Sequence, residues 1–206
     1  MKVVVCGAGA AGTAISKLLL CIDIEKNICT SFKDVIVCDS KGILYEGRED
    51  MNEYKKDLAK KTNRYNSRGS LENALDQADV FVGVSSGNVL NPEWIQKMNE
   101  NPIIFALANP VPEIMPEKAI ATGAAIVATG RGDYPNQVNN ALAFPGIFRG
   151  ALDTRAKRIT NEMKIAASHA LAEMIEKPTR DRILPHILEP EIAQNIAKAV
   201  KEKVVE

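Results

Sequence analysis

Aromatic residues are scarce in this 206-residue chain, 5% of the total, with a single tryptophan at Trp94. So thin a supply excludes a row of aromatic platforms on which nucleic-acid bases could stack. An excess of either charge is lacking too: 26 Lys and Arg balance 26 Asp and Glu. That balance removes the electrostatic argument for nucleic acid or an anionic membrane surface as a partner. No apolar run approaches the ~20 residues needed to cross a bilayer, so no membrane partner is expected. With a strand pattern beginning at residue 2, no secretory leader is expected either, and the expected location is cytoplasmic. The four cysteines, Cys6, Cys21, Cys29 and Cys38, form no Cys-x-x-Cys pair and have no histidine at metal-ligand spacing. Buried free thiols in a reducing compartment are the expectation. What remains is an ordinary globular composition, 46% apolar and 25% charged, in a chain long enough to bury a core.

The most informative segment comes first. An apolar run, Lys2-Val3-Val4-Val5-Cys6, feeds directly into Gly7-Ala8-Gly9-Ala10-Ala11-Gly12 and then into a helical pattern over 13–20. Strand, glycines and helix in that order give each glycine a mechanical task. Gly7 permits the tight turn, Gly9 lets backbone N–H groups approach a pyrophosphate, and Gly12 lets helix and strand lie close. The phosphates would rest on the positive end of the helix. A second apolar run, 35–38, ends in Asp39, roughly 27 residues past Gly12, against the usual ~20. An acid there accepts hydrogen bonds from the adenosine ribose and repels a 2′-phosphate, which favours NAD over NADP. Lys41 could offset part of that repulsion. Asp39 also reads as a turn residue before Gly42.

Apolar runs recur at 3–6, 35–38, 80–84, 103–107 and 125–128, separated by helical patterns at 52–61, after Ser70, and at 92–98 and 116–121. Asn91-Pro92 reads as an N-cap followed by proline at the first helical position. This alternation predicts an α/β fold, a Rossmann-like doubly wound parallel sheet with C-terminal helices. Ligands of such sheets bind beyond the carboxyl ends of the strands. That rule nominates residues 7–12, Asp39, Ser85 with its neighbours Ser86-Gly87-Asn88, Asn109, and Thr129-Gly130-Arg131. After Phe144-Pro145-Gly146 the pattern turns helical, at 159–176 and 190–203. The expected division is a nucleotide-binding domain over 1–150, with helices over 151–206 packing on it. On the last helix Ile192, Ala193, Ile196, Ala197 and Val200 share one face, suited to covering the core or to subunit packing.

Two segments go beyond a generic nucleotide fold: Phe105-Ala106-Leu107-Ala108-Asn109-Pro110-Val111-Pro112-Glu113, and the run from Ala128 to Asn140 that contains Gly130-Arg131-Gly132-Asp133-Tyr134-Pro135-Asn136. With Asp39-Ser40-Lys41-Gly42-Ile43-Leu44 and Gly83-Val84-Ser85-Ser86-Gly87 in the same order, the whole chain resembles the NAD-binding half of malic enzymes of the short bacterial type. The resemblance implies oxidative decarboxylation of L-malate to pyruvate and CO2, with NAD (NADP possible) as cofactor and Mg2+ or Mn2+ in the complete enzyme. It implies cofactor contacts at Gly7, Ala8, Gly9, Ala10, Ala11, Gly12, Asp39, Ser85 and Asn109. It assigns Asn109, Asn139 and Asn140 to the substrate carboxylate or to the nicotinamide ribose and amide. An asparagine offers both a donor and an acceptor there, although Asn-Pro alone is also a turn signal. A homodimer is expected.

In that family the tyrosine acid, the lysine base and the metal-binding carboxylates lie before the glycine motif, so no catalytic residue or metal ligand can be assigned here. The implied partner is a missing N-terminal catalytic domain, without which the chain is expected to be inactive. Glu46, Glu49 and Asp50 read as a solvated acidic stretch rather than a metal site. His169 and His186 read as helix-face and loop residues. Arg131-Gly132-Asp133 matches a cell-adhesion tripeptide by chance. The competing reading is a stand-alone NAD-binding sensor or scaffold; a different Rossmann dehydrogenase fits the ordered motifs less well.

Overall fold

The computed structural model describes residues 1–24 and 28–204. Contacts cluster into two compact units, Met1–Ile22 with Thr30–Arg131, and Asp23–Cys29 with Gly132–Glu206.

The first unit is built on a sheet of β1 (Lys2–Cys6), β2 (Asp34–Asp39), β3 (Gly42–Ile43), β4 (Val80–Gly83), β5 (Ile103–Ala106) and β6 (Ile126–Thr129). Their order is β3-β2-β1-β4-β5-β6, all pairs parallel except the short β2–β3 return. Successive strand side chains point to opposite faces, and both faces are apolar here. Val3, Val5, Val35, Val37, Val80 and Val82 share one core cluster. Val4, Cys6, Ile36, Cys38, Phe81 and Ile104 share the other. A sheet buried on both sides must be covered on both, as a doubly wound fold requires. Ile15 and Leu19 of α1 (Ala10–Leu19) and Leu58 of α2 (Glu53–Lys61) cover the first face. The second is covered from α3 (Leu71–Leu75), α4 (Pro92–Ile95) and α5 (Pro116–Ala121) by Leu75, Ile95 and Ala119.

Local chemistry explains the helix starts. The Ser70 hydroxyl accepts the Asn73 N–H while the Asn73 side chain accepts the Ser70 N–H, a reciprocal cap. Asn91 caps α4 ahead of Pro92, as its sequence predicts.

In the second unit a single 3-10 turn (Asn140–Leu142) precedes α6 (Phe144–Asp153), α7 (Asn161–Glu173) and α8 (Ile192–Lys201). Leu142, Met163, Ala167, Ile192, Ile196 and Val200 form its core, so the apolar face of α8 is buried. Helices α6 and α8 meet through glycine. A Cβ on Gly146 would lie 2.6 Å from Ile196 Cβ, and one on Gly150 would lie 2.8 Å from Val200 Cβ.

The structure differs from the sequence reading in three places. Strand β3 has only two residues, too few to show a period. Helix α6 starts at Phe144-Pro145, where the sequence reads as a boundary; proline fits the first turn of a helix because its missing N–H has no intrahelical partner there. The expectation of four free thiols is corrected for two: Cys21 and Cys29 are disulfide-bonded, whereas Cys6 and Cys38 are free and buried. The free pair shares one register position, at the last residue of β1 and the last but one of β2. Cys21 stands outside any strand, with φ at +53°.

Candidate functional site

Strand register levels the carboxyl edge of the sheet. Cys6 pairs with Cys38 and Gly83, Gly83 with Ala106, and Ala106 with Thr129. The loops that follow therefore start from one line: Gly7, Asp39, Ser85, Asn109 and Gly130 all stand within three residues of it. Strand order reverses between β1 and β4, which is where a doubly wound sheet opens its ligand crevice.

Each glycine of the first loop has a separate physical role. Gly7 adopts φ +125°, and its N–H donates to Cys38 O at 2.8 Å, which ties the turn to β2. Gly12 is buried, and a Cβ there would lie 1.7 Å from Gly7 O. Gly9 is different: it is exposed, and a Cβ built on it meets nothing within 4 Å. It also caps α1 without a side-chain bond, and the first helical turn holds no acidic residue. The outward N–H groups of that turn and the space above Gly9 fit an anionic pyrophosphate. Ala10 and Ala11 are exposed beside Gly9, and Ala8 is half-buried.

Asp39 is compensated by more than the neighbouring Lys41. Its side chain is 7% exposed. Arg48 Nη2 donates to both carboxylate oxygens at 2.9 Å, Lys55 Nζ donates at 2.6 Å and the Lys41 N–H at 2.9 Å. Four bonds occupy about the whole acceptor capacity of a carboxylate. Burial acts to raise the Asp39 pKa, but the bonds from Lys55, Lys41 and Arg48 outweigh it and hold the carboxyl below its usual range. Asp50 joins through Arg48 Nε at 2.5 Å and Lys41 Nζ at 3.0 Å. Three cations against two carboxylates leave this corner net positive.

On the other side of the crevice the two free strand ends share one carboxylate. Glu113 is fully buried; its Oε1 accepts the Ser85 N–H at 2.9 Å and its Oε2 the Ala108 N–H at 3.0 Å. Ser85 Oγ also lies 3.4 Å from Cys6 Sγ. Burial pushes the Cys6 thiol pKa up, the Ser85 bond offsets part of that, and the Glu113 charge adds to the rise. Burial likewise drives Cys38 well above the usual thiol range. Neither thiol is a nucleophile at neutral pH.

The sheet unit thus brings together Gly7, Ala8, Gly9, Ala10, Ala11, Gly12, Asp39, Ser85 and Asn109, the last exposed in the loop after β5. Asn139 and Asn140 belong to the helical unit. Asn139 Oδ1 accepts the Ala141 N–H at 2.9 Å and so caps the 3-10 turn, while Asn140 is exposed. Glu46, Glu49 and Asp50 are exposed, as are His169 and His186. Among the described residues no group of three His, Cys, Asp or Glu side chains could hold a metal ion. Sequence reasoning missed Arg48 and Glu113. Arg48 sits in a run of mixed charge, and Glu113 lies between prolines like any loop acid, so no local signal marks either.

Comparison with known proteins matches residues 1–205 to the family model described as malic enzyme, NAD binding domain. The chain is 50% identical over 209 residues to a bifunctional malic/malolactic enzyme of Bacillus subtilis (strain 168), covering 100% of this chain and 49% of that protein. It is 40% identical to an NADP-dependent malic enzyme of Halomonas elongata, covering 100% of this chain and 50% of that one. The crystal structure of an NAD-dependent malic enzyme from Thermotoga maritima superposes with a TM-score of 0.90 at 50% identity, over 98% of this chain and 51% of that one. This chain spans about half the length of the curated relatives it matches.

Proposed function

The chain belongs to the family of malic enzyme NAD-binding domains, and from that premise we propose that it supplies the dinucleotide site for oxidative decarboxylation of L-malate to pyruvate and CO2. The observation that carries this reading is the level carboxyl edge, with the open position above Gly9 beside the uncapped start of α1. When bound, a nicotinamide dinucleotide would supply the hydride acceptor for malate. The residues here bind and orient it: backbone N–H groups at 9–12 hold the pyrophosphate, and the loops at Ser85 and Asn109 receive the other half. Asn109, and in the other unit Asn139 and Asn140, serve the malate carboxylate or the nicotinamide. Asn139 offers its amide nitrogen, since its oxygen is engaged.

Chemistry at malate needs more than this. A secondary alcohol gives up hydride only as a base takes its hydroxyl proton, and decarboxylation needs a cation to hold the enolate charge. Among the described residues no three His, Cys, Asp or Glu side chains are grouped to hold a Mg2+ or Mn2+ ion. On this reading the base, the acid and the metal ligands come from a partner catalytic domain, and this chain is inactive without it. A surface of the helical unit supports such a partner: Phe144, Phe148 and Leu152 recur every fourth residue on α6 and are 52%, 50% and 74% exposed.

The test is direct. Purified chain is incubated with malate, NAD and Mn2+ while NADH absorbance is followed, and an N-terminal half from a short malic enzyme is then added as a separate chain. Turnover should appear only after the addition, with a rise of at least a hundredfold, since ~3 kcal/mol from a base or metal is that large. Robust turnover beforehand would mean that a catalytic group lies within this chain. Dinucleotide binding with no turnover after the addition favours a stand-alone sensor.

A further inference from the structure

We propose that Glu113 is a positioning residue that sets both loops flanking the nicotinamide half of the bound dinucleotide; this rests on the dinucleotide reading above. Ser85 lies two residues beyond the end of β4 and Ala108 two residues beyond the end of β5. Those strands pair with Gly83 opposite Ala106, so their continuations leave the sheet side by side. Past the last ladder bond each loop has a backbone N–H in need of an acceptor. One carboxylate serves both, one oxygen to each. A hydrophobic side chain in its place would leave two N–H groups without partners.

The surroundings show that the clasp is built for this carboxylate. The backbone of Glu113 is itself fixed, its carbonyl accepting the Leu90 N–H at 3.0 Å, while the neighbouring Pro112 carbonyl accepts the Asn88 N–H at 3.0 Å. Gly83 makes the room: a Cβ there would lie 2.3 Å from Glu113 Cδ. No ion pair involving Glu113 occurs among the described residues, so only N–H dipoles and the Ser85 hydroxyl, 3.5 Å away, compensate the buried carboxylate. Burying a charge is costly unless it is hydrogen-bonded, so the two loops and the carboxylate hold one another in place.

In a sheet whose order reverses between β1 and β4, the dinucleotide crosses the crevice: the adenosine half lies over β1 and β2 and the nicotinamide half over β4 and β5. Glu113 touches only the second side. Its role is to fix Ser85 and the Ala108-Asn109 peptide before cofactor arrives, so that ordering them does not have to be supplied by binding.

The experiment compares two ligands on Glu113→Gln. Glutamine is isosteric but keeps one acceptor and turns an NH2 toward the other N–H. Calorimetric titration with ADP, which lacks both the nicotinamide and its ribose, should give an affinity within about twofold of the parent. NAD should bind about tenfold more weakly, the effect of one mismatched buried hydrogen bond. Glu113→Asp, with both acceptors one methylene short, should fall between parent and Glu113→Gln for NAD and leave ADP unaffected. Equal loss of both ligands in both variants would make Glu113 a general stability residue and overturn the proposal. Parent protein that binds both ligands, with variants indistinguishable from it, would defeat this inference alone. Parent protein that binds neither would defeat the dinucleotide reading, and this inference with it.

Discussion

The sheet unit and the helical unit both rely on glycine for close packing, but they place it to different ends. In the sheet unit Gly12 lets α1 press onto the turn from β1, while Gly9, three residues earlier, faces open space. One short loop thus divides its glycines between holding the fold and admitting a ligand. In the helical unit Gly146 and Gly150 both face α8, and neither has open space at its Cβ. Close packing there produces a helix pair with nothing left for a ligand, and the opposite face of α6 is apolar and exposed. The difference teaches that a glycine-rich segment identifies a binding loop only where one of its glycines has no structural task.

That comparison breaks first at Gly12. Alanine there would place Cβ 1.7 Å from Gly7 O, and only movement of helix against strand relieves such an overlap. The gain in helix propensity, about 1 kcal/mol for Gly to Ala, is outweighed, and Gly12→Ala should cost about 3 kcal/mol or more in urea denaturation. Gly9→Val should leave the unfolding free energy in urea denaturation within about 0.5 kcal/mol of the parent and yet abolish detectable NAD binding. A Gly9 variant as unstable as Gly12→Ala would erase the division of labour.

Next in size is Gly150→Ala. Its Cβ would meet Val200 Cβ and Ala197 O, each at 2.8 Å, a milder overlap that a small helix shift relieves. Overpacking costs about 1–3 kcal/mol, and helix propensity returns about 1, so a net loss of about 1 kcal/mol is expected. NAD affinity should not change, because the glycine loop belongs to the other unit. Loss of NAD affinity without loss of stability would overturn the contrast between the units.

The same contrast explains what could be read from the sequence. Strand β1, its glycine loop and the amphipathic α8 are local patterns, carried by residues within a few positions of one another. Elements without a period of their own, β3 and the start of α6, were not legible. Nor were bonds that close over long chain distances. Glu113 meets Ser85 across 28 residues and Lys55 meets Asp39 across 16, and no spacing rule foretells either. Asp39 was legible as an acid at a strand tip, but its effect depends on partners that only folding brings.

The smallest expected effect concerns those partners. An uncompensated Asp39 would repel a 2′-phosphate and accept the ribose hydroxyls, giving strong preference for NAD. Here Arg48, Lys55 and the Lys41 N–H fill the acceptor sites of Asp39, and the corner is net positive. Repulsion is thereby cancelled, and a ribose diol must displace Lys55 to reach the carboxylate. Of the three cations, Arg48 is 7% exposed and fixed, whereas Lys55 is 28% and Lys41 65% exposed and can turn toward a phosphate. Partly exposed ion pairs contribute about 1 kcal/mol or less, about fivefold in affinity. Calorimetric dissociation constants for NAD and NADP should therefore differ by less than about tenfold in the parent protein. Lys55→Ala vacates one acceptor site on Asp39 and removes one cation, so it should move the ratio toward NAD by about fivefold. A parent that already prefers NAD by a hundredfold would mean that Asp39 acts as a bare acid despite its partners. A Lys55→Ala variant with an unchanged ratio would place the choice of cofactor elsewhere along the edge.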